Sequence, residues 1–318
     1  MTYYETIMAI GAIKKDFEKE IEKKLKLTKV QSPLFVKRES GLQDDLSGVE
    51  KAVTFDKDGE QFEIVHSLAK WKRSALGKYG FPVYTGLYTD MKAIRKDEIV
   101  DATHSLYVEQ WDWEQVIEEK DRNIAYLKKT VNKIYSAIRN TSLKLSKKYP
   151  ELDLGLPEKI FFITSQKLED LYPYYSPEER EDLITKEKRA VFIIGIGNKL
   201  KSGKVHDLRS PDYDDWNLNG DLFIYSDILG KAVEVSSMGI RVSEKSLLEQ
   251  LEKSGHEERL NYTFHKKILK KELPYTIGGG IGQSRVLMLL LGKKHVASVQ
   301  ASSWEQKTID ELKDLSIL

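Results

Sequence analysis

The chain's 318 residues carry 51 Lys+Arg against 50 Asp+Glu, a formal charge of +1, with 40% hydrophobic and 32% charged side chains and no cysteine. This composition suits a folded chain with a sizeable core and argues against a protein devoted to a nucleic-acid backbone, which would concentrate positive charge. The missing cysteine excludes a disulfide framework, a thiolate zinc site and a cysteine nucleophile.

The N-terminus has no basic region followed by an apolar core, and the longest apolar runs, 286–291 and 190–194, are too short to cross a bilayer. A soluble, cytoplasmic protein with no membrane partner is expected. Ile7, Ile10, Phe17, Ile21 and Leu25 recur at helical spacing and predict an amphipathic helix ending near Leu27. Next comes Lys29-Val-Gln-Ser-Pro-Leu-Phe35, an extended stretch in which Pro33 demands an edge strand or a subunit contact. A polar loop follows at 41–48, then a hairpin of 52–55 and 61–65 turning at Asp58-Gly59.

A helix is predicted after Ser67, strands at 86–95 and 104–113, and a long helix or helix pair over 114–148. Further strands are predicted at 160–164, 190–196, 221–225 and 232–236. Ser176-Pro-Glu-Glu179 opens a helix with a capping box, and helices are expected at 243–253 and 260–271. Hairpin-linked strands with helices between them point to α+β, a mainly antiparallel central sheet flanked by helices. With no Pro/Ser/Gly-rich linker, residues 1–318 read as a single domain.

Two motifs fail on spacing. Gly197-Asn-Lys-Leu-Lys-Ser-Gly-Lys204 has Asn198 and Val205 where a P-loop needs Gly and Ser or Thr, and reads as a hairpin turn. The six histidines show no metal-ligand spacing, so His66 and His206 read as structural. Thr276-Ile-Gly-Gly-Gly-Ile-Gly-Gln-Ser-Arg285 is different. Its glycines remove the side-chain wall, an apolar helix begins at once, and Arg285 falls in the first turn, which makes a seat for a nucleotide.

In order along the chain, three segments resemble the signature motifs of a class II aminoacyl-tRNA-synthetase-like catalytic core. They are the first helix with the Pro33 strand, the strand at 87–94 running into Arg95-Lys-Asp-Glu98, and Gly278-Gly-Gly-Ile-Gly-Gln-Ser-Arg285. Asp97 stands where that pattern usually has glutamate. The chain further resembles ammonia-dependent asparagine synthetases, the aspartate–ammonia ligases. The stretches that carry this are Gln43-Asp-Asp-Leu-Ser-Gly48, Val65-His-Ser-Leu-Ala-Lys-Trp-Lys-Arg73, Gly86-Leu-Tyr-Thr-Asp-Met-Lys-Ala-Ile-Arg95 and Tyr107-Val-Glu-Gln-Trp-Asp-Trp113. In the second half they are His206-Asp-Leu-Arg-Ser-Pro-Asp-Tyr-Asp-Asp-Trp216, Leu218-Asn-Gly-Asp221 and Glu234-Val-Ser-Ser-Met-Gly-Ile-Arg241.

The resemblance implies synthesis of L-asparagine from L-aspartate, ammonia and ATP through β-aspartyl-AMP, in a homodimer joined through the first helix and the Pro33 strand, without nucleic acid. It places Arg95 on the α-phosphate, with Asp97, Glu98, Gly280, Gly282 and Arg285 on the ATP side. Asp221 and Glu234, on adjacent predicted strands, are hard-oxygen candidates for Mg²⁺. Lys72 and Arg241 are candidates for the aspartate carboxylate that is not activated. Asp44 and Asp112, with Gln110, Ser67 and Ser237, are candidates for the α-ammonium or the incoming ammonia, and Asp44 or Asp214 for the proton of the incoming ammonium. Two other readings stay open: a truncated synthetase-like protein adenylating another amino acid, and a non-catalytic paralogue, which should have lost Arg95 or Arg285.

Overall fold

The computed structural model describes residues 1–46, 50–313 and 315–318; Ser47 and Gly48, at the end of the predicted polar loop, lie outside them. Helix α1 (Tyr3–Leu25) starts on a capping box between Thr2 and Glu5 and buries Ala9, Ile13, Phe17, Ile21 and Leu25, an i,i+4 stripe. Lys26, in the left-handed region (φ 54°), ends it.

The extended stretch around Pro33 splits. Its first residue ends β1 (Leu27–Lys29), its last residue begins β2 (Phe35–Lys37), and Pro33 lies in neither. Proline cannot donate to a ladder, so the chain crosses from one sheet to another there. The hairpin β3 (Thr54–Lys57) and β4 (Glu60–Ile64) turns where expected, with both Asp58 and Gly59 at positive φ, as a two-residue turn requires.

Helix α2 (Ala69–Tyr79) and strands β5 (Gly86–Ile94) and β6 (Tyr107–Val116) follow. The expected helix over 114–148 is shorter, α3 (Ile124–Ser146), capped by Asn123. Glu114, Gln115 and Val116 instead complete β6, because their side chains continue its alternation. Next come β7 (Phe161–Thr164), α4 (Ser165–Leu171), α5 (Pro177–Lys188) with the predicted Ser176 capping box, and β8 (Ala190–Ile194).

Strands β9 (Asp214–Ser226) and β10 (Lys231–Arg241) extend well past the predicted 221–225 and 232–236. Their polar residues face a cavity rather than solvent, so hydropathy under-read them. Helix α6 (Glu244–Ser254) is capped by Ser243, whereas the predicted 260–271 helix breaks at Tyr262 into a 3-10 turn and α7 (Thr263–Leu269). Then β11 (Thr276–Gly282), α8 (Gln283–Leu290) and α9 (Gln306–Glu311) complete the elements.

The described strands form an eight-stranded sheet in the order β1-β5-β6-β11-β10-β9-β8-β7, antiparallel except for the edge pairs β1/β5 and β7/β8, and a small sheet β2-β4-β3. One face of the large sheet packs on α1, α3 and α8 through Trp111, Trp113, Met238, Ile277 and Ile281. The alternate residues of the same strands are polar and face the other way.

Candidate active site

On that polar face, strand register lines up one residue from each of five strands. Thr89 pairs with Asp112, Asp112 with Gly280, Gly280 with Ser237, and Ser237 with Asp221. One step along, Glu114 pairs with Gly278, and Gly278 with Gly239. Since β11 puts glycine at 278 and 280 on this face, side chains from β6 and β10 can lie flat across it. A Cβ at Gly278 would stand 2.6 Å from both Arg241 Nη2 and Glu114 Oε2, and one at Gly280 would collide with the Gln110 amide. Over this floor opens a cavity of about 300 Å³. It is lined by Asp44, Ser67, Lys72, Arg95, Glu98, Gln110, Asp112, Asp214, Glu234, Ser237, Arg241, Gly280, Gly282 and Arg285, all expected from the sequence.

One end of the cavity alternates charge. Lys72 Nζ contacts Asp112 Oδ1 and lies 3.3 Å from the Gly279 carbonyl, while Asp112 Oδ2 accepts the Leu68 N–H at 3.1 Å. Burial first, then the Arg241 charge, push the Lys72 ammonium well below its usual value, with Glu114, Asp214 and Asp44 pulling it back up. Arg241 donates to Asp214 through Nη1 and to Glu114 through Nε (3.2 Å) and Nη2 (2.9 Å). Burial opposes its charge, but the two carboxylates outweigh burial and raise its pKa. Ser67 donates its hydroxyl to Asp44 Oδ2 at 2.6 Å, and Asp44 Oδ1 accepts the Leu46 N–H at 2.9 Å.

The other end holds the phosphate-side candidates. Arg95 reaches the His66 carbonyl from Nε and Nη2, both at a long 3.4 Å, and stands 3.8 Å from Glu98, loose contacts that leave its fork available. The structure does not bring Asp97 in. Its carboxylate accepts the Lys51 N–H at 2.9 Å and pairs with Lys96, away from the cavity, so the shift from glutamate to aspartate in that motif alters an outer contact. Arg285 donates to the carbonyls of Glu234 (3.0 Å) and Thr103 (3.1 Å).

Asp221 and Glu234 meet through Ser237, whose hydroxyl bonds Asp221 Oδ1 at 2.5 Å and lies 3.0 Å from Glu234 Oε1. Burial pushes the Asp221 carboxyl up to about 6, Arg209 opposing and Glu234 adding to the rise. Burial also acts against Glu234, but Arg285 and Arg209 hold it below its usual range. Among the described residues no three acidic or histidine side chains converge as a ready metal cage. Two hard carboxylates, one raised by burial and the other held low by arginines, still suit Mg²⁺, which keeps waters and takes substrate phosphates as its other ligands.

Several residues escaped the sequence reading. Glu114 lies on β6 rather than at the start of a helix, and the period-two run Gln110, Asp112, Glu114 is the signal for it. Arg209 lies within the 206–216 segment, and its contact with Asp221 appears only when the 206–213 segment folds over β9. Glu181, whose carboxyl burial raises to about 7, accepts from or pairs with His206 Nε2 at 2.9 Å beside the same acidic group. The P-loop look-alike is the expected turn, with Lys199 bridged to Val205.

A family profile described as aspartate-ammonia ligase matches residues 4–316. Aspartate–ammonia ligase of Ruminiclostridium cellulolyticum is 56% identical over 309 residues, covering 96% of this chain and 92% of that protein. The Lactobacillus johnsonii protein of the same name is 53% identical and covers 100% and 96%. Among solved structures, asparaginyl-tRNA synthetase of Pyrococcus horikoshii complexed with asparaginyl-adenylate superposes with a TM-score of 0.72 at 14% identity, over 94% of this chain and 68% of that one. The Entamoeba histolytica asparaginyl-tRNA synthetase gives 0.71 at 14%, over 94% and 66%. The chain thus spans about two thirds of those synthetases, and the likeness establishes a class II synthetase-like fold.

Proposed function

This chain belongs to the aspartate–ammonia ligase family, whose reaction makes asparagine from aspartate and ammonia, and we propose that it works through a β-aspartyl-adenylate on the glycine floor of β11. The observation that carries this reading is the division of one cavity into an alternating-charge end, Lys72, Asp112, Arg241 and Asp214, and an end where the cations Arg95 and Arg285 stand. An amino acid with two carboxylates and an ammonium needs the first, and a nucleotide polyphosphate needs the second. The asparaginyl-adenylate in the structurally similar P. horikoshii synthetase supports placing an adenylate in this fold.

In this reading the α-carboxylate of aspartate lies against Lys72 and Arg241, and its ammonium faces Asp112, with Gln110 beside it. The β-carboxylate oxygen attacks the α-phosphorus of ATP, the bond to the bridging oxygen breaks, and pyrophosphate leaves. Arg95 and Arg285 stand where negative charge builds in that step. Mg²⁺, held by Asp221 and Glu234, would neutralise the polyphosphate. Ammonia then attacks the acyl carbon, and the C–O bond to AMP breaks.

Ammonium must first lose a proton, and Asp44 suits this better than Asp214. Asp214 is paired with Arg241, whereas among the described residues the side-chain contacts on Asp44 are a hydroxyl and an amide. The same reading makes residues 1–318 one catalytic domain working in the cytoplasm, where ATP is available, with no nucleic-acid partner. It also makes the protein a homodimer through α1 and the chain around Pro33. Tyr4 and Met8, 72% and 57% exposed on α1, and Leu34, 49% exposed, support that surface.

The test is nucleotide and amino-acid chromatography of reactions containing ATP, Mg²⁺ and aspartate, with and without ammonium. AMP, pyrophosphate and asparagine appearing together only with ammonium are expected, and ADP in place of AMP would overturn the adenylate route.

A further inference from the structure

Arg241 starts on β10 and its guanidinium ends on β6, crossing β11 where Gly278 offers no side chain. There Nε and Nη2 both donate to one oxygen of Glu114, a fully buried carboxylate, at 3.2 and 2.9 Å. The other oxygen of Glu114 accepts the Thr276 hydroxyl at 2.7 Å, so the carboxylate is itself fixed in orientation. A guanidinium carries five N–H donors. Glu114 takes two and Asp214 takes one. Among the described residues the remaining two have no acceptor, and Arg241 lines the cavity.

We propose that Glu114 is a positioning residue for the amino-acid substrate: it holds the Arg241 fork across Gly278, so that two N–H groups face the substrate carboxylate. The inference rests on the reading that Arg241 binds that carboxylate. Without Glu114, the guanidinium has Asp214 as its remaining partner, and the shortest rearrangement closes the fork on that carboxylate and spends the donors meant for substrate. Thr276 and Gly278 belong to the same device, one locking Glu114 and the other providing the passage.

Steady-state kinetics of E114Q, G278A, T276V and R241K, with aspartate and ATP varied separately, together with thermal melting, test this. E114Q should raise the aspartate KM roughly tenfold or more, with the ATP KM within about twofold of the parent. G278A keeps both charges but intrudes on their contact, and should show the same split. T276V should move the aspartate KM in the same direction by less, and T276S should restore it.

An aspartate KM unchanged in folded E114Q, while R241K raises it, would overturn the positioning role and leave Arg241 as the carboxylate ligand. An unchanged aspartate KM in R241K would instead overturn the reading of Arg241 itself. If E114Q does not fold, G278A and T276V carry the test. Equal rises in both KM values in those two would show a merely structural contact.

Discussion

The Lys72 ammonium of α2 rests on the Asp112 carboxylate of β6, with both side chains at most 2% exposed. A buried pair of this kind costs desolvation on both sides and is kept in place by the hydrogen bonds around it; here these are the Leu68 N–H and the Gly279 carbonyl. Its charges are those a bound aspartate would use, the substrate ammonium turning to Asp112 and a substrate carboxylate to Lys72. Asp112→Asn keeps the shape and removes the charge. It should raise the aspartate KM by a factor of about ten or more while leaving ATP binding nearly unchanged. An unchanged aspartate KM would mean that the amino acid sits elsewhere.

Among the described residues Arg95 and Arg285 are held by backbone carbonyls and by the carboxylates of Glu98 and Glu234, 3.8 and 3.5 Å away and 25% and 36% exposed, so removing either arginine strands no fully buried charge. Arg95→Ala and Arg285→Ala should therefore melt near the parent temperature. ATP–pyrophosphate exchange driven by aspartate should fall about a hundredfold or more. A variant that exchanges normally would remove its arginine from the phosphate side.

The contrast between these arginines and Glu114 shows what the sequence could reveal. The Thr276–Gly282 strand, Arg285 at the following helix start and the Asp58-Gly59 hairpin were legible because their signals are local: glycine placement and apolar periodicity. Glu114 was not, because the strand-to-loop boundary at Val116 carries no Gly or Pro and the following residues suit a helix. The contact of Arg209 with Asp221 joins residues twelve apart by folding a loop over a strand, which periodicity cannot describe. Pro33 marked a break between two sheets rather than the edge of one, since a residue unable to donate suits either place.

The carboxyl of Asp221, pushed up to about 6 by burial with Glu234 nearby, gives the proposed cation site a pH dependence of definite sign. A cation competes with the proton, so affinity is full well above about 6, is halved near it, and falls below it by a factor approaching about tenfold per unit for one group. Titration of Mg²⁺ with ATP present at pH 5 and pH 7.5 should show this loss. Asp221→Asn should weaken binding at both values and flatten the difference. A pH-independent affinity in the parent protein would place the cation away from Asp221.

Behind the cavity, Asp212 is a fully buried hub joining three elements: Lys70 of α2 at 2.6 Å, His265 of α7 at 2.9 Å and Arg259 of the preceding 3-10 turn at 3.2 Å. Burial opposes its charge, but Lys70, His265 and Arg259 hold the carboxyl well below the ordinary 3.8. For an acid depressed in the folded state, the unfolded chain binds the proton first. The stabilisation is therefore complete above 3.8 and is lost as pH falls toward the folded value. Asp212→Asn leaves the buried Lys70 and Arg259 with the more exposed Asp45 carboxylate, 3.9 and 3.5 Å away, as counter-charge and should cost about 3 kcal/mol at pH 7, read by urea unfolding. The gap between parent and variant should narrow below pH 3.8, where the parent begins to lose the same interaction. A gap of equal size at pH 3 and pH 7 would show that Asp212 stabilises by shape rather than by charge.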